Sequence, residues 1–243
     1  AVVLASDGTR TPIGVVKEVE SYDVKLSFVN LNGQPASSYT YRFVSIDQPK
    51  AYFRTDPSDT IVLRLPKGPY FFDSSVYTPD ADPTKRGRTM AAIEPAFSVT
   101  ADTELVIDAR QGVQPAIAID QKEAKPATSE LGFGMETNWG PTGSTWILRD
   151  FENLSVRPSK STWPKFTFYA QSVLARPDGT GNFEGSPYQY HVRITEKTRV
   201  PANVQRAVSD RELARVNSVT HLRVPGSIGQ RDSGASGPLP LRL

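Results

Sequence analysis

The order of apolar and polar positions along the chain is that of β-strands. In "YDVKLSF", Val24, Leu26 and Phe28 alternate with Lys25 and Ser27, and in "YTYRFV", Tyr39, Tyr41 and Phe43 alternate with Thr40 and Arg42. A period of two sends one set of side chains to each face of a strand. Asn32-Gly33, between these runs, is a strong hairpin signal. "TIVLRLPKG" and "PYFFDSSVY" form the next pair around the turn at Pro66–Gly68. This pair predicts a hairpin closing a sandwich core, with Tyr70 and Phe72 on one side and Phe71 on the other. "FSVTADTELVID" gives two short strands around a turn at Thr100–Thr103, and "QPAIAID" an edge strand. Short strands with polar turns between them predict a sandwich.

The expected fold class is all-β, with two β-sandwich-like units and one short helix near the C-terminus. Residues 1–120 form the first unit. Residues 121–130, "QKEAKPATSE", are charged, small and Pro-containing, which predicts an interdomain linker. Residues 131–220 form a second β-rich unit through "STWILRDF", "NLSVRP", "PKFTFYAQSVLA" and "YQYHVRITEK". In "VSDRELARVN", Ser209 stands three residues before Glu212, a capping-box spacing that predicts a helix over about 209–217. The tail, 221–243, is rich in Gly, Ser and Pro and is expected to be extended.

Composition narrows the picture. The 20 Pro and 17 Gly agree with many turns, and a net charge of +2 gives no strong overall field to steer a partner. From Arg193 onward nine Lys and Arg stand against four Asp and Glu, a local excess of +5. These cations interleave with acids and lack regularly spaced aromatic partners, so a solvated face is expected and no nucleic acid. The absence of cysteine excludes disulfides, thiol catalysis and Cys-ligated zinc. No apolar run approaches the roughly 18 residues of a membrane-spanning helix, so no membrane partner is expected. The chain starts at Ala1 without Met or a signal-like apolar segment, which suggests a piece of something longer.

Candidate chemistry is sparse. Nucleophilic hydrolysis needs a nucleophile, a base and an orienting group, and the only histidines are His191, on a predicted strand, and His221. "RDSG", Arg231–Gly234, has the Asp-Ser-Gly of peptidase aspartates, but lies in a polar tail rather than at the end of an apolar strand. The acidic loops at Asp56/Asp59 and Asp80/Asp82 lack EF-hand spacing and read as turns, so neither metal nor cofactor is expected. "TKRGR", Thr84–Arg88, lies in a long loop and is expected to be simply exposed, with a processing site or a polar contact as the alternatives. Trp139, Trp146 and Trp163 all fall in the second unit, where they serve either as core or as exposed rings for sugars or a partner.

Four stretches, "GVVKEVESYDVKL", "LRLPKGPYFFD", "LVIDARQGVQPAIAI" and "VSDRELARV", occur in this order along the chain. Together they resemble the non-catalytic C-terminal region of large secreted bacterial subtilisin-family serine peptidases. The Leu-Pro-x-Gly-x-Tyr turn is also similar to that of carboxypeptidase-regulatory-like and prealbumin-like sandwiches, which is what the first unit is expected to be. The resemblance implies an accessory region of a secreted serine endopeptidase. Its catalytic triad lies upstream, so no catalytic residue is carried over. The implied partners are the catalytic subtilisin-like domain of the same precursor and a protein substrate. A carbohydrate-binding β-sandwich module using the three tryptophans is the alternative.

Overall fold

The computed structural model describes residues 2–12, 14, 19–53 and 60–216. The Asp56/Asp59 loop, His221, the "RDSG" segment and the tail fall outside the described residues. The protein is all-β. Its strands are β1 (Val2–Leu4), β2 (Arg10–Pro12), β3 (Ser21–Val29), β4 (Tyr39–Ser45), β5 (Ala51–Phe53), β6 (Thr60–Pro66), β7 (Gly68–Thr78) and β8 (Arg88–Val99). They continue with β9 (Thr103–Asp108), β10 (Ala116–Ile119), β11 (Lys125–Glu136), β12 (Pro141–Leu148), β13 (Leu154–Arg157), β14 (Phe166–Ala175), β15 (Gln189–Lys197) and β16 (Gln205–Val208).

Three sheets stack face to face. A three-stranded sheet, β6-β3-β9, lies on one face of a five-stranded central sheet, β13-β8-β7-β4-β5. A four-stranded sheet, β12-β11-β14-β15, covers part of the other face. Period-two alternation fills both interfaces from the same central strands. Tyr41, Phe43, Tyr70 and Phe72 point down to Val24, Leu26, Phe28 and Leu65, whereas Val44, Phe71, Ala91 and Ile93 point up to Leu131, Phe133, Phe166 and Phe168. Phe71 meets Phe133 at 4.9 Å between ring centroids.

Strand partners differ from expectation where a turn carries the chain from one sheet to another. The Pro66–Gly68 turn joins β6 of the three-stranded sheet to β7 of the central one, so it is a sandwich corner and not a hairpin. Asn32-Gly33 does close a short antiparallel hairpin, with Val29 bridged to Pro35 and Asn30 N–H donating to the Gln34 carbonyl at 2.9 Å, before the chain crosses to β4 in the opposite sheet. Alternation identifies a strand and its faces, but both partners are then chosen by burial across the stack. "QPAIAID" does not edge the first sandwich: β10 pairs in parallel with β16.

Residues 125–130 of the expected linker are the first half of β11, paired with β14 from Lys125↔Ala175 onward. Pro126 and Thr128 flank a register irregularity, which is where a strand tolerates proline. The two halves of the chain also share the central sheet, because β13 pairs in parallel with β8. The expected helix over 209–217 is a single 3-10 turn, Asp210–Glu212. The Glu212 carboxylate accepts the Ser209 N–H at 2.9 Å, so the capping contact forms, but Val216 is 63% exposed and offers no buried face to extend a helix.

Candidate functional site

The four-stranded sheet leaves one corner of the central sheet open. Strand register defines it. Phe53 on β5 stands opposite Arg42 on β4, which stands opposite Asp73 on β7. The next row along the same face holds Thr40 and Ser75, and Tyr77 lies beyond Ser75 on β7. Toward β8 and β13 this face is closed by Ala91, Ile93, Leu154 and Val156, all buried in the upper core. Toward β5 it opens: Phe53 is 75% exposed and Tyr77 39%. With strands about 4.8 Å apart and a rise near 3.4 Å, the two aromatics stand roughly 17 Å from each other.

Between them Arg42 Nε donates to Asp73 Oδ1 at 2.7 Å, and the guanidinium lies 5.8 Å from the Phe71 ring centroid. Arg42 Nη2 is buried with no hydrogen-bond partner among the described residues. Burial pushes the Asp73 carboxyl above the usual range, and the Arg42 charge and hydrogen bond pull it partly back. The site therefore offers two apolar rings, a part-exposed guanidinium held by its carboxylate, and the hydroxyls of Thr40 and Ser75.

The loop at 79–87 borders the corner. Gly87 is buried, and a Cβ there would meet the Thr78 carbonyl oxygen and the Tyr77 ring, the latter at 2.5 Å. Only a residue without a side chain lets the loop return this close beneath Tyr77. Within the loop the Asp82 carboxylate accepts from Thr84 N–H at 3.0 Å and Thr84 Oγ1 at 2.7 Å, and these bonds hold it below the usual carboxylate range. Asp80 and Asp82 are thus turn formers.

The three tryptophans do not gather. Trp146 and Trp163 are half-buried against the upper core. Trp163 Nε1 donates to the Glu136 carbonyl at 3.1 Å. Trp146 stands opposite Leu131, five positions from Glu136 along β11, or about 17 Å. Trp139 is 41% exposed, and its Nε1 donates to the Ser45 carbonyl at 2.8 Å, which latches the β11–β12 turn onto the end of β4. Beside it Asn138 Nδ2 donates to Asp47 Oδ1 at 2.8 Å. His191 lies on β15, an outer strand of the four-stranded sheet.

Three further features lie outside the corner. Glu94 and Arg157 pair at 2.9 Å with side chains 5% and 3% exposed, and Glu94 Oε2 also accepts from the Lys160 and Ser161 N–H groups and from Ser161 Oγ. Such saturation is what a buried carboxylate requires. A small cavity of about 60 Å³ lies against the Pro66–Gly68 corner beside Tyr52 and Tyr70. Tyr70 Oη donates to the Pro66 carbonyl at 2.8 Å, and burial raises its hydroxyl pKa. A cleft of about 260 Å³ between the ends of β10 and β16 is lined by Ile119, Asp120, Val208 and Glu212.

Sequence reasoning passed over Phe53, Arg42, Asp73 and Tyr77 as a group. Tyr77 and Asp73 share a parity on β7, a signal that was available, but the neighbours of β7 come only from the sheet order. No family model, curated protein or solved structure matches the chain.

Proposed function

We propose that the chain is a non-catalytic binding region, a rigid stack of sheets that presents the open corner of its central sheet to a protein partner. One observation carries this reading: two exposed aromatic rings flank a half-buried guanidinium–carboxylate pair on a single open sheet face. Aromatic rings and arginine are the side chains that dominate binding energy at protein interfaces. Arg42, held by Asp73 and stacked near Phe71, loses little side-chain freedom when it engages a partner.

The resemblance carried by "LRLPKGPYFFD" and its companion stretches supplies the setting. In that setting the chain is an accessory region of a secreted subtilisin-like serine protease, and its partner is the catalytic domain of the same precursor or a protein substrate. The lower two sheets are the part for which a prealbumin-like topology is proposed. A carbohydrate-binding module is the second reading, favoured by the exposed ring of Trp139.

Amide hydrogen exchange of the chain, alone and with the separately produced catalytic domain, tests the reading. Protection is expected in β5, the start of β4 and the end of β7. A complex that forms while leaving these segments unprotected overturns it.

A further inference from the structure

We propose that the loop between β7 and β8 is a site of limited proteolysis by an endopeptidase that cuts after basic residues. Lys85–Arg86 is the bond cut first, and the nicked chain remains one particle. The cut itself does not depend on the binding reading, although it acts beside the same corner.

Accessibility comes first. Lys85 and Arg86 are both exposed, whereas Gly87 is buried beneath Tyr77. An endopeptidase needs the residues on both sides of the bond, so Lys85–Arg86 is reachable and Arg86–Gly87 is shielded on one side. Among the described residues the hydrogen bonds that hold the loop are local: Asp82 N–H to Asp80 Oδ1 at 2.9 Å, the two Thr84 bonds to Asp82, and Lys85 N–H to the Asp82 carbonyl at 3.0 Å. Local opening of such a segment leaves the core intact. A primary pocket ending in a carboxylate accepts Lys85. Water adds across the amide, so that Lys85 gains a carboxylate and Arg86 becomes a new terminal ammonium. No cofactor or redox partner is needed.

Persistence of the fold follows from where the cut falls. It separates β7 from β8, yet these strands are paired from Gly68↔Val99 to Thr78↔Arg88. Each side also contributes to both cores: Phe72 and Phe71 from one piece, Met90 and Ile93 from the other. The cut frees Gly87 from its short tether and so loosens the floor under Tyr77, which gives the nick a route to the binding corner.

The experiment is brief exposure of the folded 243-residue chain to a trace of trypsin, read by intact mass and by native size exclusion. The expected first cut within residues 2–216 yields a fragment ending at Lys85, co-eluting with its complement at the volume of the uncut chain. Lys85→Gln combined with Arg86→Gln is expected to slow cleavage in this loop by at least about tenfold without moving the thermal midpoint, because only an exposed segment is changed. A first cut elsewhere within 2–216, or fragments that separate on the column, overturns the proposal. The binding reading survives either result, since its own test uses uncut chain.

Discussion

Phe71 and Phe53 stand on the same face of the central sheet and do opposite things. Phe71 is fully buried against Phe133, so Phe71→Ala is expected to cost about 3–5 kcal/mol in denaturant unfolding. Phe53 is 75% exposed, so Phe53→Ala is expected to leave stability within about 0.5 kcal/mol of wild type. Acid sensitivity also has a residue-scale origin. Asp178 Oδ1 accepts from Thr180 N–H and Oγ1 and from Asn182 N–H, which lowers its carboxyl pKa. A carboxyl lowered by folding stabilises the fold above its unfolded value, about 3.9 for Asp. That contribution is lost as pH falls through the folded value. Asp73 has the opposite sign, because burial raises it: the stability linked to it is present below about 3.9 and is lost as pH rises through its folded value. Asp178→Asn is therefore expected to flatten the fall of the thermal midpoint between about pH 5 and about pH 2. An unchanged slope would assign the acid sensitivity to other groups.

At the scale of elements, Gly132 on β11 shows how close two strands can come. A Cβ there would stand 2.6 Å from the Tyr169 ring and 2.8 Å from the Ser144 carbonyl oxygen. The ring is pinned between Thr145 Oγ1, 2.6 Å from its hydroxyl, and the Arg193 guanidinium, 4.1 Å from its centroid. Gly132→Ala is expected to cost about 1–3 kcal/mol, measured by chemical denaturation, because neither neighbour is free to yield. Elements were legible in the sequence where alternation was clean. β3, β4 and β7 are such cases, down to the opposed faces of Phe71 and Phe72. β8 was legible only at its end, because Glu94 and Pro95 interrupt its apolar run. The structure admits Pro95 at a β-bulge, where the register jumps between Tyr70↔Phe97 and Phe72↔Glu94, and neutralises Glu94 with Arg157. Neither compensation is local in sequence. The open corner was illegible for the same reason, since Phe53, Arg42 and Asp73 are brought together by cross-strand register and the extent of the covering sheet.

For the whole molecule, the decisive feature is a central sheet with a core on each face and a strand from each half of the chain. Residues 1–120 expressed alone would expose Val44, Ile46, Phe71, Ala91 and Ile93 and would lack β13. That fragment is expected to remain unfolded or to aggregate by circular dichroism and size exclusion, and the intact chain to unfold in one transition. Two separated transitions would show that the layers are independent. Such a body suits a scaffold, because the sheet is packed on its lower face and the Asp73 carboxylate holds Arg42 in place on the open one. The direct test of the proposed role is the calorimetric affinity of the chain for its proposed partner, a subtilisin-like catalytic domain, compared between wild type and Phe53→Ala/Tyr77→Ala. Loss of about 2 kcal/mol, roughly thirtyfold in Kd, in a double variant that remains folded is the predicted result. Wild-type affinity in a fully folded double variant would contradict it.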